Sequence, residues 1–154
     1  MGAKSLTAPA STKLYDQDFA AWAEATARLL REGRLDQLDI EILAEEVESM
    51  AKRDRAELRS RLRVLLMHLL KWGWQPGERS SSWHSTILEQ RSEMEDVLER
   101  SPSLRPTLAE SVARAYPAAA KRASIETGLP LKVFPRECPF SVDQILGEDF
   151  LPER

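Results

Sequence analysis

Between Asp36 and Gly73 neither proline nor glycine interrupts the chain. Through this stretch Leu43, Val47, Met50, Leu58, Leu62, Leu65, Leu69 and Trp72 step by threes and fours, with one gap after Met50. The spacing predicts one long helix with an apolar stripe, capped at its start by Asp36 or Asp39. Such a helix cannot hide its stripe alone, so other segments must cover it. Between Met50 and Leu58 the residues AKRDRAE are mostly polar, so the middle of the helix is either more exposed or bent. Glu48 with Lys52 and Glu57 with Arg61 have the favourable i, i+4 order.

The other segments repeat the helical period. Phe19, Trp22, Ala23, Leu29 and Leu30 predict a first helix over 16–32, capped by Asp16 or Asp18 and stopped at Gly33. After the Pro76-Gly77 turn, a serine up to Ser82 can cap a third helix over 83–100 with the stripe Trp83, Ile87, Met94 and Leu98. A fourth helix opens at Ser103, with Pro106 in its first turn, and buries Leu104, Leu108, Val112, Ala115, Tyr116, Ala119 and Ala123. Pro117 predicts a kink or split near 114–117, because its ring clashes with the Ala113 carbonyl. Beyond Gly128, LPLKVFPRECPF is punctuated by prolines and too apolar to float, which predicts an extended strap. Ser141 and Gln144 form a capping box for a last helix over 142–147. No period-two run is sustained. The expectation is an all-α fold: a bundle of four main helices with a short C-terminal helix and an extended C-terminal strap. Residues 1–13 read as a flexible N-terminal tail and 14–151 as a single helical domain.

Composition bounds the function classes. A chain of 154 residues with 42% hydrophobic and 31% charged residues suits one folded core and not disorder. Its net charge of -3 lacks the field that draws proteins to phosphate backbones, so a nucleic-acid role needs a local basic patch and is not the expectation. Cys138 is the single cysteine, which excludes an internal disulfide and suits a reducing compartment. With no apolar leader in MGAKSLTAPASTK and no run near the roughly 18 apolar residues of a membrane span, a cytoplasmic protein without membrane contact is expected.

Six segments together carry a family likeness: YDQDFAAW at 15–22, LAEEVES at 43–49, LLMHLLKW at 65–72, SSSWHSTILEQR at 80–91, SPSL at 101–104 and FPRECPF at 134–140. In this order, over roughly 14–150, the chain resembles a bacterial all-helical family known as domain of unknown function twenty-nine. The resemblance implies the helical fold and brings no activity, substrate, cofactor or catalytic residue. Pro117 departs from the family pattern.

The candidates for chemistry are few. In the acidic run 41–48, Glu45 and Glu48 are three apart and can share a helix face that holds a divalent cation. Di-iron bundles use Glu-x-x-His pairs, however, and neither His68 nor His84 has an acid three residues before it. A solvated or arginine-paired face is the plainer reading, and no metal or cofactor is assigned. His68 sits at the edge of the long stripe, where a hydrogen-bonded core histidine is more ordinary than a catalytic one. Trp72, Trp74 and Trp83, with Lys71, Arg79 and His84, could stack bases and touch phosphate, though tryptophans at helix ends more often staple the loop down. Arg91 falls within the third helix's stripe and must be at least partly buried, so a carboxylate within about 4 Å, above all Glu46 or Glu48, is its expected partner. The leading expectation is a helical protein-interaction or self-association module. The alternative is a metal- or anion-dependent enzyme whose site lies between helices two and three, with Glu45, Glu48, His68 and Arg91 as its candidate residues.

Overall fold

The computed structural model describes residues 10–153. They form six α-helices: α1 Ala10–Gln17, α2 Phe19–Arg31, α3 Ile40–Trp74, α4 Ser81–Arg100, α5 Leu108–Thr127 and α6 Val142–Leu146. Four of these are long, and no strand occurs among the described residues, so the fold is all-α. The chain divides into two compact units at Ala51 and Lys52, inside α3 and within the polar stretch AKRDRAE. Through that stretch α3 is an unbroken helix with mostly exposed side chains.

In the first unit, α1 and α2 replace the single helix over 16–32. The Asp18 side chain caps α2 by accepting from the Ala21 N–H at 3.0 Å, which ends α1 one residue earlier. Residues 10–13, expected in a flexible tail, are instead helical, and Thr12 Oγ1 donates to Asp39 at 2.7 Å. The rest of that tail lies outside the described residues. Trp22, Thr26 and Leu38 are buried, and Tyr15 packs edge-on against Trp22 at 4.9 Å.

The second unit is built on α3 from Leu58 onward. Leu58, Leu62, Leu65, Leu66, Leu69 and Leu70 are at most 2% exposed and share one core with α4, α5 and the C-terminal segment. Each such leucine contributes roughly 1.5–3 kcal/mol by leaving water. The stripe is wider here than one seam because neighbours cover α3 on more than one side. Ser80 caps α4, accepting from the Trp83 N–H at 3.2 Å. Ser103 does not cap α5: Pro102–Thr107 forms a 3-10 turn and the α-helix starts at Leu108. Pro102 and Pro106 have no backbone N–H to donate, and short 3-10 pieces are a common way into an α-helix.

Nor does Pro117 split α5, which runs from Leu108 to Thr127. Ala113 and Pro117 are both exposed, so water can take the place of the missing N–H donor. The strap after Gly128 packs where expected, with Phe134 at 4% and Ile145 at 1% exposure. Tyr116 donates its hydroxyl to the Pro135 carbonyl at 2.8 Å, and the Ser141–Gln144 capping box starts α6. Near the C-terminus Pro152 lies so close to α3 that a Cβ at Gly73 would approach it to 3.1 Å, which explains a glycine inside that helix.

Candidate functional site

Arg91 is buried at 3% exposure, but its partners are not glutamates. Its guanidinium donates to four backbone carbonyls: Nε to Ile145 at 2.8 Å, Nη1 to Glu148 at 3.2 Å, and Nη2 to Gln144 at 3.2 Å and Phe150 at 2.8 Å. The expectation of a salt bridge to Glu46 or Glu48 is therefore corrected. Gln144 and Ile145 lie in the last turn of α6, whose carbonyls lack helical donors and carry the negative end of the helix dipole. A planar fork of five donors suits several convergent carbonyls as well as one carboxylate. Burial pushes the Arg91 pKa down, while the nearby Glu148 charge opposes that shift.

The other candidates have separate surroundings. Glu45 and Glu48 belong to the first unit and are exposed, and Glu46 accepts a hydrogen bond from the Tyr15 hydroxyl at 2.5 Å. His68, in the second unit, donates from Nδ1 to the Val64 carbonyl at 2.9 Å, one turn back on its own helix. Burial lowers its pKa first, and the Val64 hydrogen bond opposes this. Among the described residues, His68 and Arg91 share no hydrogen-bond partner. Among the described residues, no three of His, Cys, Asp and Glu converge as a metal site would require.

The tryptophan cluster works inward. Trp74 donates its indole N–H to the Val133 carbonyl at 3.1 Å and packs on Phe134 at 5.8 Å. Arg79 donates to the carbonyls of Trp72 at 2.9 Å and Pro152 at 3.3 Å. Lys71, buried at 8% exposure, pairs with Glu126 at 2.7 Å and lies 4.4 Å from the Trp83 ring centre. This is the loop-stapling role: the rings and cations are spent on holding the ends of α3, α4 and the strap. A groove of about 440 Å³ between α5 and the strap is lined by Tyr116, Cys138 and Phe140 among others. Burial pushes the Cys138 thiol up and the Tyr116 hydroxyl to about 12, so neither is an activated nucleophile.

The first half of α3 leaves an apolar face bare, which helical spacing alone does not reveal. In the first unit Ile40, Val47 and Met50 are 55%, 57% and 60% exposed. At about 100° per residue they share one side of α3 with exposed Ala44 and Ala51, an arc of roughly 120°. Asp39 and Glu46, which bond to α1, lie on one side of that arc. Glu41, Glu45 and Glu48 lie on the other. The first half of α3 thus has a covered face, an apolar face and an acidic face. The helical spacing of the stripe runs on through Val47 and Met50, but among the described residues no element of the first unit covers them.

No curated protein and no solved structure matches the chain. The family described as "Domain of unknown function DUF29" matches residues 14–151, spanning every helix from α2 to α6, and the chain belongs to that family.

Proposed function

We propose that this protein is a helical interaction module that associates with a second copy of itself through the apolar face of α3. One observation carries the reading: Ile40, Val47 and Met50 are more than half exposed in helical register. With half-buried Leu43 they alternate a branched residue with an unbranched-at-Cβ one at steps of three and four, Ile40-Leu43-Val47-Met50. That is the order of two-stranded coiled-coil seams. The seam is short, but the helix is already ordered by its contacts with α1, so association need not bear the cost of folding it.

The alternative, a metal- or anion-dependent site made by Glu45, Glu48, His68 and Arg91, draws no support from the geometry, because Arg91 already donates to four carbonyls.

Size-exclusion chromatography coupled to light scattering tests the proposal. The wild type is expected to elute as a dimer that dissociates on dilution, and Val47→Glu as a monomer with unchanged helical circular dichroism. A wild type that stays monomeric at every concentration contradicts it.

A further inference from the structure

Arg55, Arg59 and Arg63 recur at every fourth residue of α3, so the row advances about 6 Å along the helix per arginine. Across from them on α5 stand Arg114, Lys121 and Arg122. Three hollows of about 210, 260 and 410 Å³ lie in sequence between the two rows, each sharing lining residues with the next. Arg59 and Arg114 border the first two, and Arg63 and Ala118 border the last two. All six cations are exposed. Glu110 is the acid that lines the groove, and it pairs with Arg114 at 2.6 Å, while Glu126 reaches Arg122 at 3.9 Å. Arg55, Arg59, Arg63 and Lys121 make no ion pair among the described residues.

Like charges at i, i+4 repel, so such a row is unfavourable until an anion lies along it. The local patch that an acidic chain would need for a phosphate partner is therefore present; it lies in the second unit, and none of the tryptophans lines it.

We infer that this α3–α5 groove binds the phosphodiester backbone of a single-stranded nucleic acid. Guanidinium forks match phosphate oxygens in paired hydrogen bonds, and five of the six cations are arginines. No aromatic ring, asparagine or glutamine lines the groove, so bases are neither stacked nor read and binding is blind to sequence. A concave line of charge between two helices follows a flexible strand, whereas a duplex more often receives a helix into its own groove. Protein partners are anchored by buried aromatic and aliphatic side chains, and in this groove Ile125 is the one large apolar side chain that stands exposed, at its far end, against six exposed cations. The inference is independent of self-association through the first unit.

The test is fluorescence anisotropy of the full chain with labelled mixed-sequence single strands, in DNA and RNA arms. Binding is expected in at least one arm; equal affinity assigns recognition to the phosphates alone, and a preference for RNA adds the 2′-hydroxyl. With four unpaired cations engaged, affinity should fall roughly fiftyfold between 50 and 200 mM salt. Arg59→Glu combined with Arg63→Glu should weaken binding at least tenfold with the melting temperature unchanged, and Arg28→Glu, outside the groove, should leave it unaltered. Absence of binding by the wild type, binding indifferent to the groove variants, or tighter binding of a duplex or a polyglutamate peptide would each overturn the inference.

Discussion

Arg91 shows how far one side chain can be inferred. Its place between Ile87 and Met94 predicts burial, and burial demands acceptors. The acceptors are the carbonyls of Gln144 and Ile145 at the end of α6 and of Glu148 and Phe150 just beyond it, and no side-chain pattern reports that this end of α6 packs against α4, so the partner was not legible. Arg91→Ala is expected to cost about 3–5 kcal/mol in urea unfolding, since it strands one buried and three part-buried carbonyl bonds and leaves a cavity in the α4 stripe. Arg91→Lys should recover only part of that, because three donors on one atom cannot span four carbonyls; full recovery by lysine would show that charge alone matters there.

His68 supplies a pH dependence. Its folded pKa lies below the unfolded value of about 6.5, so between the two the unfolded chain binds more protons and stability rises with pH. The contribution is complete above about pH 6.5 and is lost as pH falls through the lowered folded value. Thermal melts of wild type and His68→Gln should therefore converge as pH drops below 6.5; a constant difference across that window would contradict the assignment.

At the scale of elements, the α3 period, the α4 and α5 stripes, the strap and the α6 capping box were all readable, because each rests on spacing or on a local cap. Two features were not. The 3-10 turn at Pro102–Thr107 depends on how two prolines share one turn, and the covering of an apolar stripe depends on where distant segments pack. The same spacing gives buried Leu62 and exposed Val47 on one helix. Removing everything after Gly128 uncovers Phe134 and Ile145, each contributing roughly 1.5–3 kcal/mol, and leaves Arg91 without its carbonyls. A clearly lowered melting temperature is expected for the truncated chain, and melting like the full-length protein would make the strap a dispensable tail.

For the whole molecule, the division of the chain at Ala51 and Lys52 separates two kinds of surface. The first unit presents apolar side chains that its own helices leave uncovered. The second has a core closed by the strap and a row of cations outside it. The cationic row is visible in the sequence as the four-residue repeat Arg55, Arg59, Arg63, but one helix cannot show which residues of α5 stand opposite, so the sequence alone shows only a polar stretch. The candidate residues Glu45, Glu48 and His68 were legible by type alone, and type does not report convergence.

Self-association through α3 is tested most directly by amide hydrogen exchange measured over a range of protein concentrations. Residues 40–51 are expected to exchange more slowly as concentration rises, while α4 and α5 keep the same rates, and Val47→Glu should abolish the concentration dependence. Exchange over 40–51 that is the same at every concentration would contradict the account.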